Sequence, residues 1–471
     1  MSHTDLDDVD ATPSGVSLET TITFLPDLVL SGIFQYLYWK EKIMAVEAFP
    51  AWSRILDSSL GWKHFENDRS YAHSFKALMS PNYLFEEITC IAQYGQFFIH
   101  GVIWLQKFLP TDNPEETDFA LLGALETHCF RLKSLAIYHP PNLSSSSIIL
   151  SFVPYIQPLQ KMFSFSPSLK LSFYRLLYSS VEAHTGALDL LHFYLTHNVL
   201  QKVACLDFSH GLILASSVHP LNYLVYCMSL RVLKCPIQNL NTLILQQLVE
   251  FSLQELYLTS DEHTLTLNYV EKSAIDWHAL QLIPGRKLKV HYVFKNRSVY
   301  PVHMCPNPYA RSLVFDSLCS SISRALLLSV ADMYGATLEH VAFILAIWDP
   351  LVPFSDLEDL PTNIQANNYM ASRLKCVQTV LLNLVIPKDA LITLAQHAPA
   401  LKTLLVYEHK IFFGRHAVNT VEEIEELKSI ISEALGYSWK PVKQDDTLYK
   451  LSCYRQNLLF EDNVCQSEGF W

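Results

Sequence analysis

Apolar positions along this chain fall into two alternating spacings. Near the N-terminus Leu30, Ile33, Phe34 and Leu37 recur at i, i+3, i+4 and i+7, which makes one face of a helix. Pro26 suits the first turn of that helix, where a missing N–H is harmless. A second helix is predicted on Ile43, Val46 and Phe49, and Pro50 separates it from a third on Trp52, Ile55 and Leu56. Three helices over about 40 residues bury too little surface to be robust alone. The module is therefore expected to be stabilised by a partner or by the chain that follows it.

Beyond residue 85 the pattern changes to short segments of the form L-x-x-L-x-L. Val203-Leu206-Phe208, Leu230-Leu233-Cys235, Leu253-Leu256-Leu258, Ala310-Leu313-Phe315, Leu338-Val341-Phe343, Val377-Val380-Leu382 and Leu401-Leu404-Val406 are its members. Leu132-Leu135-Ile137 is an earlier one, and Leu288-Val290 a shorter one. Consecutive members stand about 22–28 residues apart, the spacing of leucine-rich repeats. Helical patterns fill the gaps. Leu318, Ile322, Leu326 and Val330 repeat every fourth residue, with Gly335 placed to stop the helix. Pro387 opens another on Ala390, Leu391, Leu394 and Ala398. A strand–helix unit cannot cover its own apolar face, so neighbours must stack. The fold class predicted is α/β: an N-terminal three-helix module, then an irregular leucine-rich-repeat-like solenoid of parallel strands with helices.

The repeat is degenerate. Strict repeats carry Asn or Cys three residues past the last motif position, and here Gly211, Gln238, Asp261 and His409 stand there. A polar, acidic stretch around Pro353 to Asn368 reads as a loop. Thr420-x-x-Glu423 is a capping box that opens a helix on Ile424, Leu427, Ile430, Ile431 and Leu435, with Gly436 ending it. That helix is suited to cap an open end of the array. The predicted organisation is a disordered tail over 1–21, the helical module over 22–67, the repeat domain over 85–415, and a capping helix and tail over 416–471.

Composition narrows the function classes. Half of the 471 residues are hydrophobic and 17% are charged, so most of the chain is globular. Only 13 glycines are present, which argues against folds built on glycine-rich phosphate loops. The formal net charge of −12 repels phosphate backbones, and no basic run offsets it, so no nucleic-acid partner is expected. Ten cysteines lie far apart without C-x-x-C, and Cys205, Cys235 and Cys376 sit in apolar runs. They read as buried thiols of a reducing compartment. The acidic start does not read as a signal peptide, and the longest apolar run, Val341 to Trp348, is far shorter than the roughly 20 residues of a membrane span. A soluble protein of the cytoplasm or nucleus, with no membrane partner, is the expectation.

The segment from Leu25 to Leu37 has the form L-P-x-x-x-L-x-x-I-F-x-Y-L, with Trp52 following. With Ile55 and Leu56 it resembles the F-box family over about Phe24 to Phe65. Two places depart from the family pattern. Ala48-Phe49 stands where Val-Cys is common, and the later Leu-Trp pair is spread into Leu60-Gly61-Trp62. Further on, Leu253 to Leu258, Asp276 to Leu280, Lys287 to Tyr292 and Ser432 to Trp439 follow in an order similar to family members that carry irregular leucine-rich-repeat-like units. The resemblance implies that Leu25, Pro26, Leu30, Ile33, Phe34 and Leu37 form the face met by a Skp-type adaptor, with Trp52 in the supporting core. It implies a substrate-recognition subunit of an SCF-type ubiquitin ligase, recruiting a protein target through the repeat domain. The alternative is a repeat scaffold that binds partners without ubiquitin transfer.

Catalytic signatures point nowhere. H-E-x-x-H, G-x-S-x-G, G-x-x-x-x-G-K-[ST] and G-x-G-x-x-G do not occur. Glu182, His184, His192 and His197 form the densest group of possible ligands, and His409 and His416 form a pair, but neither has metal spacing. No basic neighbourhood marks Cys319 or Cys376 as a nucleophile. The chain is expected to be non-catalytic, without metal or cofactor. The sequence marks no substrate-contact residues.

Overall fold

The computed structural model describes residues 25–67, 81–104, 114–138, 158–159, 161–162, 169–174, 200–207, 222–237, 240–260, 275–281, 283, 287–294, 306–317, 324–345, 360–383, 385–414 and 420–443. The predicted tail over 1–21, the Glu182–His197 ligand group, His416, Leu318, Cys319, Ile322 and residues 444–471 lie outside these residues. The chain divides into two compact units, residues 1–135 with 157–169, and residues 136–156 with 170–471.

The first unit opens with α1 (Asp27–Phe34) and α2 (Trp39–Ala48). Pro26 precedes α1 as its cap residue. The predicted third helix is a 3-10 turn over Pro50–Trp52 followed by one turn of helix, α3 (Ser53–Leu56). Trp52, Ile55 and Leu56 are buried, as the pattern requires. A short strand, β1 (His64–Glu66), follows directly, then α4 (Pro81–Tyr94), β2 (His100–Trp104) and α5 (Pro114–His128). Strands β1 and β2 pair in parallel, with Phe65 beside Gly101. The sequence pattern missed both strands. In β2 glycine replaces the apolar residue, because a Cβ on Gly101 would sit 3.2 Å from the Leu135 side chain. Packing joins the helices to the strands: Trp62 is fully buried and stacks on Tyr94, and Phe65 stacks on Phe98. The helical module thus shares one compact unit with the first strands, and the division falls at 135–136 rather than between residues 67 and 85.

Strand β3 (Ser134–Tyr138) lies at that division. The second unit continues with β4 (Lys170–Tyr174), β5 (Val203–Asp207), β6 (Val232–Pro236), α6 (Thr242–Phe251), β7 (Glu255–Ser260), α7 (Trp277–Gln281) and β8 (Lys289–Phe294). It ends with β9 (Ala310–Ser317), α8 (Arg324–Tyr334), β10 (His340–Leu345), α9 (Leu360–Arg373), β11 (Thr379–Leu382), β12 (Ile386–Pro387), α10 (Lys388–His397), β13 (Thr403–Val406), β14 (Ile411–Phe412) and α11 (Val421–Leu435). From β4 to β11 each strand pairs in parallel with the next in sequence, and β11 then pairs with β13. Every predicted L-x-x-L-x-L segment contributes one of these strands or β3. The architecture is α/β, with parallel strands joined by helices.

The motif works because strand residues alternate between faces. One face carries Leu233, Leu256, Leu313, Val341, Val380 and Leu404, all buried. Phe294, Phe315 and Phe343 stack there across three strands at centroid distances of 5.2 and 4.7 Å. The other face is buried too. Val293, Val314, Ala342, Ile344, Leu381 and Tyr407 form an apolar cluster on it. Beside them a polar row crosses the strands, with Asp207, Lys234, Tyr257, His291 and Ser312 in register. The Lys234 ammonium lies 3.6 Å from the Asp207 carboxylate, and Tyr257 stacks on His291 at 4.4 Å. Burial holds the His291 imidazole down to about 3, so it is neutral at ordinary pH. A parallel sheet covered on both faces reads as near-continuous apolar runs, which explains the high hydrophobic content.

Two expectations are overturned. The stretch from Pro353 to Asn368 is not a loop where it is described, because α9 begins at Leu360. Its buried residues Ala366, Met370 and Ala371, with Leu374 just past its end, form an apolar stripe that polar neighbours hid from the pattern. Gly335 lies where the preceding helix and the end of α9 meet: a Cβ there would stand 2.9 Å from that of Arg373. Cys376 is exposed rather than buried, since it stands in the turn after α9, one residue before Val377 enters the core. Cys205 and Cys235 are buried as expected.

The predicted helix at the C-terminal end forms with its capping box intact. Thr420 Oγ1 accepts from the Glu423 N–H, the Glu423 carboxylate accepts from the Thr420 N–H, and Gly436 is left-handed at φ 73°. The chain then returns to β13. Trp439 Nε1 donates to Leu404 O at 2.9 Å, and Val442 N donates to Val406 O. These bonds occupy the outer edge of the last strand, an edge that would otherwise be open to pairing.

Candidate docking surface

The residues singled out near the N-terminus divide by burial. Leu30 and Phe34 are wholly buried and Trp52 nearly so. Phe34 meets Trp52 edge to face at 6.1 Å, and Phe49 stacks on the same indole at 4.6 Å. Leu25 and Leu37 are half-buried, while Pro26 and Ile33 are exposed. The helix therefore presents Ile33 to solvent and spends Leu30 and Phe34 on its own core.

Three exposed residues were missed by sequence reasoning: Leu28, Val29 and Tyr36, with Leu28 83% and Tyr36 89% exposed. A signal for them exists. At 100° per residue, Leu28, Val29 and Ile33 fall on one arc of α1, away from Leu30 and Phe34, and Tyr36 follows in the turn after the helix. Gly32 stands in the middle of that arc with open space around it. Thus α1 is apolar on both sides. A helix apolar all round is normally buried, and a contiguous apolar arc left in solvent marks an interaction site.

The helix is held firmly from behind. Arg54 Nε donates to Asp27 Oδ1 at 2.6 Å, and its Nη2 donates to Leu25 O at 2.9 Å. Ser31 Oγ donates to Leu60 O at 3.2 Å. In α2 the Glu41 carboxylate accepts from the Tyr38 N–H, which fixes the turn after α1. Lys42, on the buried side of α2, reaches under the loop that enters β1. Its ammonium donates to Gly61 O at 2.9 Å and to His64 O at 3.4 Å, and it lies 5.1 Å from the centre of the Trp62 ring. Burial lowers this lysine to about 8, partly opposed by nearby Cys90. Gly61 admits no side chain, since a Cβ there would stand 2.7 Å from Ile55 O. The departure at Leu60-Gly61-Trp62 is thereby explained: glycine lets the loop close on α3, and Trp62 fills the space between α2, α4 and β1.

Next to this loop His64 and His100 stack at 5.1 Å across β1 and β2. Burial and each other's proximity, with Lys63 and Lys42 adding, hold His64 to about 3. Burial, with Lys63 and Lys133, holds His100 to about 4, and its Nδ1 shares a hydrogen bond with Ser134 Oγ at 2.8 Å. Burial raises the Cys90 thiol to about 12, so it is not a nucleophile at neutral pH. His409 is exposed, and partial desolvation of its ring lowers it below the ordinary histidine value. Among the described residues no group of three His, Cys, Asp or Glu is placed to hold a metal ion. Among the same residues no helix is long and apolar enough to cross a membrane. No known family model matches the chain, and no curated protein matches it.

Proposed function

We propose that the chain is the substrate-recognition subunit of an SCF-type ubiquitin ligase, whose N-terminal helices dock onto a Skp-type adaptor as an F-box does. The observation that carries the reading is the exposed apolar arc of Leu28, Val29 and Ile33, with Tyr36 following it, on a helix braced from behind. The irregular leucine-rich-repeat-like strands and helices of the second unit then recruit a protein target. The mechanism is proximity: holding a target lysine near a ubiquitin thioester raises its effective concentration. A braced module fits that task, because loose attachment dilutes it.

The test is capture of the adaptor and cullin by the protein purified from cells. The wild type retains both. Leu28→Ala with Ile33→Ala releases both, because each large apolar side chain buried on a partner contributes about 1.5–3 kcal/mol. Neither substitution touches the core, so the melting curve stays in place. Wild type that retains neither partner sinks the reading. Adaptor retained without any cullin points instead to a scaffold that works without ubiquitin transfer.

A further inference from the structure

We propose that the chain's own acidic segment at residues 5–10 docks on a cationic rim of the first unit formed by Lys63, Arg131 and Lys133. The contact is internal to the chain and goes beyond the receptor reading above.

Backbone hydrogen bonds build the rim. Ile99 N donates to Lys63 O at 3.3 Å, and Lys133 N donates to Ile99 O at 2.7 Å, so Lys63, Ile99 and Lys133 are consecutive across the starts of β1, β2 and β3. The two lysines stand two strand spacings apart, about 10 Å, with an apolar residue between them. Arg131 and Lys133 are exposed, and Lys63 is half-buried. In the next row His64 stacks on His100, and His100 Nδ1 shares a hydrogen bond with Ser134 Oγ. Among the described residues Lys63, Arg131 and Lys133 make no ion pair. The carboxylates nearest in the chain are engaged elsewhere. Glu66 accepts from Trp104 Nε1 at 3.0 Å, Glu126 pairs with Lys161 at 2.9 Å, and Asp57 acts on Tyr94. Besides burial, the groups that act on His64 are His100, Lys63 and Lys42, and those that act on His100 are Lys63 and Lys133, with no carboxylate among them. In a chain of net charge −12 this rim is a local reversal of sign.

Charge, composition and reach select the occupant. Residues 1–24 lie outside the described residues, and their sequence holds Asp5, Asp7, Asp8, Asp10 and Glu19 but neither lysine nor arginine. Leu6 and Val9 stand among the aspartates, and Phe130, in the turn before Lys133, is 57% exposed. Acids interspersed with aliphatic side chains thus meet cations beside an aromatic ring. The point from which the segment departs is fixed, since Arg54 Nη2 donates to Leu25 O at 2.9 Å. Ser31, six residues on, donates to Leu60 O, and Leu60 stands three residues before Lys63, which puts Leu25 within about 30 Å of Lys63. The 14 residues between Asp10 and Leu25 span up to about 50 Å, so the aspartates reach the rim. Tethering raises the effective concentration of the segment to the order of millimolar, so ion pairs that are weak singly act together. Sequence reading found no basic patch because Lys63 and Lys133 are far apart in the chain and meet only through strand pairing.

The test is zero-length crosslinking of the full chain with a carbodiimide, which joins a carboxylate to an amine in contact with it, read by mass spectrometry. At low salt Asp5, Asp7, Asp8 or Asp10 is linked to Lys63 or Lys133 within one chain. Lys40 and Glu86, 2.6 Å apart in the same unit, give a reference link that reports both the chemistry and the fold. Arg131→Glu, which removes no crosslinkable group, lowers the yield of the tail links severalfold and leaves the reference link in place. Exchange of the four aspartates for asparagine removes the tail links. Salt cuts their yield by roughly tenfold, because the Debye length shrinks from about 10 Å at 0.1 M to about 3 Å at 1 M. The proposal is overturned if the reference link forms without any tail link, or if tail links spread evenly over the other exposed lysines. Tail links found only between two chains, or unchanged by Arg131→Glu and by salt, overturn it equally.

Discussion

Helices α1 and α11 are both amphipathic helices near an end of the described chain, and they are finished differently. In α11 the N-terminus has a reciprocal capping box, the C-terminus a left-handed Gly436, and the solvent side carries Glu422, Glu425 and Glu426. Apart from Val421 in its first turn, its large apolar side chains are buried or half-buried. No side chain caps α1, which is only eight residues long and turns Leu28, Val29 and Ile33 outward. An isolated helix of that length is not stable in water, so tertiary bracing must hold it. The difference teaches how to tell a closing element from a docking element. Polar residues and caps complete the first, whereas the second keeps apolar surface and is steadied by Arg54, Ser31 and Phe34 behind it.

The largest effect expected is on the braced side of α1. Phe34→Ala removes a wholly buried ring and destabilises the first unit by about 3–5 kcal/mol, whereas Leu28→Ala leaves it nearly unchanged. Hydrogen exchange read by mass spectrometry separates the two, because α1, α2 and β1 lose protection only in Phe34→Ala. Equal effects would mean that α1 has no distinct inner and outer side.

Lys42 comes next, at the seat of the same module. Its ammonium is held at about 8 in the fold against an ordinary 10.5, so the unfolded chain binds the extra proton between those values. Lys42 therefore adds stability as pH climbs from about 8 toward 10.5, by up to about 3 kcal/mol, while the buried thiols of Cys90 and Cys129, raised by burial from 9.0, act in the opposite sense above about pH 9. Lys42→Met flattens that rise. Denaturation curves across this pH range, followed through protection of β1, show whether the slope belongs to Lys42.

The C-terminal end should respond more mildly. Trp439→Phe keeps the ring but leaves Leu404 O without its indole donor, a loss of about 1–3 kcal/mol seen as faster exchange in β13. Thr420→Ala removes the cap of α11 and lowers stability by about 1 kcal/mol, measured by urea titration. Neither change alters adaptor capture. If either did, the division between a docking end and a closing end would fail.

The strands were legible because their signal is periodic and local. An apolar residue at fixed spacing must reach the shared core, so each L-x-x-L-x-L segment announced its strand, and the capping box announced α11. Strand β2 stayed hidden because glycine stands at position 101, where a Cβ would crowd the Leu135 side chain at 3.2 Å. Helix α9 stayed hidden because its buried stripe is built from Ala366, Met370 and Ala371 among asparagines. In the docking surface the apolar residues were legible, but their side was not. Leu30 and Ile33 are alike in the sequence, and one is buried while the other faces solvent.

By itself, then, the sequence determined the alternation of strand and helix, the parallel order of the strands and the helical start, all of which follow from backbone periodicity and the need to bury apolar side chains. Tertiary structure alone decided which apolar residues remain outside and that both faces of the central strands are covered. The physical reason is that burial depends on the whole packed surroundings of a residue. Spacing specifies which residues share a side of an element, but only packing specifies which side meets water.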